Sequence, residues 1–210
     1  MSIAEAPEQD WSAAMGVIMP VLLPVGTSGL AADAYDPASL HLVRGMAGGA
    51  PIQWPGPAGI PVAVAIPATG FHVLVNAEHV AAWAVEPKAV ISTAMANLLA
   101  WSNSTPWDAE ASDGRRIRVS DSGEGWDAAR LLLPEVRLFL ERELGSGSPV
   151  LVAVPSRHQL LAGCAPASDV GFAEDLRAFA GAAHADADEP VDPRVFVLDQ
   201  GGLTELGAEG

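Results

Sequence analysis

The stretch that decides the fold is VAVPSRHQLLAGC, Val152 to Cys164. An apolar run ends in a proline, a polar segment with an arginine and a histidine follows, and a second apolar run ends at the chain's one cysteine. Short apolar runs bounded by turn residues are typical of buried β-strands. We therefore predict a strand, a turn at Arg157 and His158, and a second strand.

The same stretch also allows a catalytic interpretation, in which Cys164 is a nucleophile and His158 its base. Such a cysteine needs a nearby histidine and an exposed, electropositive setting that lowers its pKa. Cys164 instead ends an apolar run, and unpaired cysteine is among the most buried residue types. The sequence therefore favours a core cysteine, with Cys164 kept as the weaker of the catalytic candidates.

Strand pairs separated by single helices surround this stretch. Residues 61–67 and 71–76 form a predicted hairpin, and apolar residues at helical spacing predict helices over about 87–101 and 127–144. Pro134 interrupts the second helix, so we expect a kink, or a short turn and then a helix beginning near it. Residues 168–184 predict a further helix. The class is α+β, with a mostly antiparallel sheet and about three main helices.

The chain of 210 residues suits a single compact domain. We expect a flexible leader over residues 1–14, the domain over 15–200 and a frayed tail over 201–210. Within the domain, residues 27–61 are rich in glycine and proline, which predicts mostly loop.

The charge balance limits the possible partners. Lysine and arginine number 11 against 26 aspartates and glutamates, which gives a net charge of -15. Nucleic acids and anionic membranes are bound through basic surfaces, and no run here supplies one. No secretory signal pattern or membrane-spanning run is present, so we expect a cytoplasmic protein.

The histidines do not form a recognisable metal-binding pattern. His72 and His79 are seven residues apart across a strand-to-helix junction, and neither HExxH nor CxxC occurs. The acidic segments SDSGEGWD and DADEPVD match no EF-hand loop and are interpreted as solvated turns. We predict neither a metal nor another cofactor.

Three short motifs resemble the YtpQ-like family of uncharacterised bacterial proteins, over roughly residues 62–165. The first is Trp83 followed by AMANL, which contains Asn97. The second is DAARLL from Asp127, with Ala129 where the family has serine, and the third is VPSRHQL, with His158 where the family commonly has aspartate. The family has no known activity, so the resemblance implies an architecture and no reaction.

Two functions follow from these observations as expectations. The negative charge, the absence of catalytic spacing and the six tryptophans favour a non-catalytic protein-interaction domain. The alternative is an enzyme of unknown reaction, with a site around Asp127, Arg130, Arg157 and His158. We also predict that Asp127, which could cap its helix, lies close to Arg130 and Arg157 around the strand-turn-strand unit.

Overall fold

The computed structural model describes residues 7–39, 49–145 and 147–207. Two sheets and five helices make up this part of the chain, and the predicted α+β class is confirmed. The helices are α1 Trp11–Ala14, α2 Ala77–Trp83, α3 Pro87–Ser104, α4 Pro134–Leu144 and α5 Phe172–Asp186. Part of the segment 27–61, residues 40–48, lies outside the described residues.

The first sheet contains β1 Met19–Leu22, β2 Leu30–Ala31, β3 Ile52–Pro55, β4 Pro61–Ala68 and β5 Phe71–Leu74. Its order is β1-β4-β3-β2, and β5 also pairs with β4. All pairs are antiparallel except β2 with β3. The predicted hairpin is therefore β4 and β5. Residues 52–55, expected as loop, form β3 because they pair with the first residues of β4.

The second sheet is antiparallel throughout and has the order β11-β10-β8-β9-β7-β6. Its strands are β6 Asp108–Ser112, β7 Arg115–Ser120, β8 Val150–Ser156, β9 Gln159–Cys164, β10 Val195–Asp199 and β11 Gly202–Glu205. The predicted strand-turn-strand is β8 and β9 at the centre of this sheet. Helix α5 packs with Leu151 and Ala153 on one face, and helix α4 packs with Val152 on the other.

Burial on both faces explains why β8 is a continuous apolar run rather than an alternating one. The largest group of buried apolar residues joins the two sheets, since Val21 and Val62 of the first sheet belong to it together with Val152 and Phe196 of the second. The break at Pro134 is also as predicted: a 3-10 turn, Ala128–Leu132, precedes helix α4, which begins at the proline.

Both chain ends differ from the expected leader and tail where the structure describes them. The indole Nε1 of Trp83 donates a hydrogen bond to the carbonyl of Pro7 (2.9 Å), and Trp11 packs against the same ring, so residues 7–14 contact the body of the protein. Residues 202–205 form β11, which pairs with β10. Neither segment carries a strong apolar pattern of its own, and tertiary contacts hold both.

Candidate ligand-binding groove

Asp127 and Arg130 meet in a closed interior network. Both are fully buried, at 0% and 1% exposure. The hydroxyl of Ser120 donates to Asp127 Oδ1 (2.6 Å) and accepts from Arg130 Nη1 (2.8 Å), so it connects the two charges. Asp127 also accepts from the backbone and the hydroxyl of Ser122 and makes no capping bond to its own helical turn. The predicted helix cap is therefore wrong, because the serines after β7 take the carboxylate.

Arg130 closes the end of helix α3. Its guanidinium donates to the hydroxyl and the carbonyl of Ser102 (both 3.0 Å) and to the carbonyl of Thr105 (3.2 Å). Ser102 lies in the last turn of the helix, where carbonyls have no intrahelical donor, and Thr105 is the residue that follows the helix. The Trp107 ring lies against the guanidinium, with its centroid 4.0 Å from Cζ. Burial lowers the pKa of Arg130 to about 10.

Arg157 and His158 form the two-residue turn between β8 and β9, where Ser156 pairs with Gln159. Beside the turn, β8 has a bulge between Ala153 and Ser156. Residues 189–192 run along this bulge, and the carbonyl of Glu189 accepts from the backbone N–H of Arg157 (3.0 Å). The pairing places the Glu189 side chain against both turn residues: Oε1 accepts from Arg157 Nη1 (2.6 Å), and Oε2 lies 3.2 Å from His158 Nε2.

The predicted cluster of Asp127, Arg130 and Arg157 is therefore divided. The carbonyl of Arg157 accepts from the N–H of Ala128, so the backbones are adjacent. The side chains belong to different networks, since Arg130 contacts the end of α3 and Arg157 contacts Glu189 and the Trp126 ring.

His158 and Glu189 border a groove of about 630 Å³, and Arg157 lies next to it through its contacts with Glu189 and the Trp126 ring. We call it the hairpin groove and define it by residues 67–72 at the tip of the β4–β5 hairpin, 123–126, 158 and 188–189. Both sheets thus contribute to it. A second depression, of about 580 Å³, lies at residues 145, 148–150 and 197–200, and its described lining contains neither imidazole nor guanidinium.

Two imidazoles face each other across Gly125, which has a φ of +82°. A Cβ at this position would lie 3.3 Å from Cε1 of His72 and 3.4 Å from Cε1 of His158. The His72 ring also meets the Trp126 ring edge-on, with centroids 4.4 Å apart. Burial, and then the charge of Arg157, lower the pKa of His72, which favours the neutral ring.

Cys164 lies in the core at 3% exposure. Its Sγ accepts a hydrogen bond from Arg116 Nη2 (3.4 Å), and the residue ends β9 at the opposite end from the His158 turn. The structure therefore separates the cysteine from the histidine of the same stretch, as strand geometry requires, and Cys164 lines neither depression.

The six tryptophans, on which the expectation of protein binding partly rests, do not form an exposed surface. Trp83 and Trp126 are buried at 5% and 6% exposure, and Trp107 packs on Arg130. The exposed aromatic side chain in the groove is instead Phe71, at 61% exposure.

The sequence did not indicate His72 or Glu189 as members of one site. The sequence suggests a possible partner for His72 only in His79, and the Nδ1 of His79 instead accepts from the backbone N–H of Asn76 and so caps helix α2. Glu189 lies in an acidic segment interpreted as a solvated turn. Among residues 7–39, 49–145 and 147–207, no group of three or more His, Cys, Asp or Glu side chains is arranged to hold a metal ion.

Comparison with known proteins returned no matching family model, no matching curated protein and no matching solved structure. In the part of the chain that the structure describes, no helix is both long and apolar enough to cross a membrane.

Proposed function

We propose that this chain is a protein-interaction domain whose hairpin groove binds a basic segment of a partner. The observation that carries the proposal is the position of two exposed carboxylates, Glu124 and Asp188, beside the exposed ring of Phe71 in one groove. A lysine or arginine side chain fits such a setting, because carboxylates attract its charge and an aromatic face adds a cation–π contact.

The charges within the groove support a cationic ligand. Glu189 is already paired with Arg157, whereas the partner of Glu124 among the described residues is a neutral donor, the Nε1 of Trp101 (3.1 Å). The lowered pKa of His72 favours a ring without positive charge. The rim therefore keeps an excess of negative charge, and the net charge of -15 on the whole chain attracts a basic partner from a distance.

A peptide-binding measurement tests the proposal. Fluorescein-labelled peptides of five residues, rich in lysine and arginine or in glutamate, are titrated with the protein at low and at physiological salt. The double variant Glu124→Gln, Asp188→Asn is expected to bind the basic peptide about fivefold more weakly than the unmodified protein. Because exposed charges are screened by salt, this difference should shrink as the salt concentration rises.

A matched control removes the same two charges elsewhere. The variant Asp108→Asn, Glu110→Gln changes exposed side chains on β6. This edge strand is separated from β8 in the sheet by β9 and β7. It should bind the basic peptide nearly as well as the unmodified protein. Equal weakening by both double variants would show attraction to the overall charge instead of binding in the groove, and no binding of basic peptides would refute the proposal.

The alternative function, catalysis, is favoured by one contact, the hydrogen bond between His158 and Glu189 opposite His72. A carboxylate that orients an imidazole is a common general-base arrangement. Asp127 and Arg130 take no part in this candidate, because both are fully buried in the interior network. Turnover of activated esters or phosphate monoesters that is lost in His158→Gln, without loss of folding, would support it over the binding function.

We also propose that the chain belongs to the YtpQ-like family and that the protein is cytoplasmic. The resemblance supports an architecture, since the matched Asn97 donates to the carbonyls of Met15 and Ile18 and the matched Asp127 and Arg130 lie in the interior network. These contacts explain the matched motifs as residues that stabilise the fold, and they indicate no reaction.

A further inference from the structure

Glu124, a carboxylate on the rim of the hairpin groove, lies between two glycines with positive φ, Gly123 (+77°) and Gly125 (+82°). Glycine has more backbone freedom than any other residue, so the local chain does not by itself fix the direction of a glutamate between two of them. Glu124 is also exposed, so packing contributes little. Its direction therefore depends on hydrogen bonds, and the structure has two sets of them.

The first set ties the backbone of Glu124 to the buried carboxylate of Asp127 through Ser122. The Ser122 hydroxyl donates to Asp127 Oδ2 (2.7 Å) and accepts from the backbone N–H of Glu124 (3.2 Å). The backbone N–H of Ser122 donates to Asp127 Oδ1 (3.0 Å), so Ser122 is held at two points. Hydrogen bonds to a carboxylate are charge-assisted and are stronger than those between neutral groups.

The second set holds the side chain of Glu124 from helix α3. Its Oε2 accepts from the indole Nε1 of Trp101 (3.1 Å). Trp101 directly precedes Ser102, whose hydroxyl and carbonyl accept from Arg130. Arg130 Cζ also lies 5.8 Å from the centroid of the Trp101 ring. The interior network thus reaches Glu124 from two sides, through Asp127 to its backbone and through Arg130 to the helix end that carries its side-chain donor.

We propose that Ser122 and Asp127 are positioning residues of the hairpin groove, which hold Glu124 where a cationic side chain of the ligand meets it. This inference rests on the proposed function and gives the interior network a part in binding as well as in folding. A carboxylate that is already held in place loses less conformational freedom when a ligand binds, so more of its attraction appears as affinity. The other exposed carboxylate of the rim, Asp188, lies in a different segment and serves as a comparison.

The experiment is a double-mutant cycle between Ser122→Ala and Glu124→Gln. Ser122→Ala removes the hydroxyl that joins Asp127 to the Glu124 backbone and leaves every charge of the groove in place. The labelled pentapeptide rich in lysine and arginine is titrated at low salt. Glu124→Gln should weaken its binding about threefold in the unmodified protein, but about 1.5-fold or less in the Ser122→Ala background. Ser122→Ala alone should weaken binding about twofold.

Two further variants show whether the effect is specific. Asp188→Asn is the matched control, because it removes the other rim charge and should weaken binding by the same factor with and without Ser122→Ala. Ser122→Thr keeps the hydroxyl and should restore the full effect of Glu124→Gln, which a general loss of stability would not do. Circular dichroism first shows that each variant is folded.

A second measurement follows the position of Glu124 without a ligand. The indole N–H signal of Trp101 in an NMR spectrum, identified by its loss in Trp101→Phe, reports the bond to Glu124 Oε2. In Ser122→Ala this proton should exchange with water at least about fivefold faster, because the bond opens more often, and Ser122→Thr should restore the slower rate.

The outcomes separate this inference from the proposed function. If basic peptides bind but Glu124→Gln weakens binding equally with and without Ser122→Ala, the inference is overturned and groove binding of basic segments remains. The inference is also overturned if Ser122→Ala reduces the effect of Asp188→Asn as much as that of Glu124→Gln, because the whole groove has then changed. If no basic peptide binds, the proposed function fails, and the exchange rate of the Trp101 indole proton alone decides whether Ser122 positions Glu124.

Discussion

Replacing Arg130 with methionine removes a buried cation and leaves its acceptors in place. The carbonyls of Ser102 and Thr105 and the hydroxyl of Ser120 each lose a donor that lies within 3.2 Å. Asp127 then stays buried without the positive charge that the network supplies. Methionine fills part of the volume against Trp107 but donates no hydrogen bond, so the last turn of helix α3 is left without its partner.

The expected loss of stability is about 3 to 5 kcal/mol, the range for breaking a buried charged network by removing one member. For a chain of this length, about 1 kcal/mol lowers the melting temperature by roughly 2–4 °C, so a decrease of about 10 °C is expected. Urea unfolding followed by circular dichroism gives the free energy, and differential scanning calorimetry gives the melting temperature.

Arg118→Met is the matched control, because Arg118 is a neighbouring arginine whose ion pair with Glu143 is partly exposed. That variant should lose about 1 kcal/mol or less. Arg130→Lys should behave more like the methionine variant than like the unmodified protein, since an ammonium cannot reach both the helix end and Ser120. If Arg130→Met costs no more than the control, the interior network does not stabilise the fold as argued.

Three further predictions concern stability and the groove. Asn97→Ala should lower stability by about 1–2 kcal/mol and speed hydrogen exchange in residues 15–18, because two carbonyls lose their donor, whereas exposed Asn103→Ala on the same helix should have little effect. Gly125→Ala and Gly123→Ala both place alanine at positive φ and should each cost about 1 kcal/mol, but only Gly125→Ala should shift the imidazole NMR signals, since open space surrounds Gly123. Burial lowers the pKa of His79 below 6.5, so the unfolded chain binds the proton first, and stability should fall as pH decreases below that value. Denaturant midpoints between pH 5 and 7 should show this slope, and His79→Gln should reduce it.

The central strands and long helices could be predicted because their burial repeats along the sequence. Helix α3 buries Val90, Ala94 and Leu98 at helical spacing, and β8 is buried throughout and apolar up to Pro155. Strand β6 could not be predicted this way, because all of its residues are exposed and it exists only through its pairing with β7.

The candidate groove could be predicted only in part, because its contacts join distant segments. The turn between two apolar runs is visible in the sequence and indicates Arg157 and His158. Glu189 reaches them from 32 and 31 residues away, through the backbone pairing beside the bulge in β8. Such a pairing has no periodic signal, and the glutamate lies among several acidic residues that are alike in sequence.

The proposed resemblance to the YtpQ-like family involves positions whose contacts in the fold have a physical explanation. The matched Asn97, Asp127 and Arg130 tie separate segments together through hydrogen bonds, so any chain that folds this way has a reason to keep them. Of the two departures, Ala129 is buried among apolar residues, where loss of a hydroxyl leaves no polar group to satisfy. The other departure, His158, lies in the groove and faces His72 and Glu189. An aspartate there would bring a second carboxylate beside Glu189, so the histidine avoids a repulsion between like charges at this point of the groove.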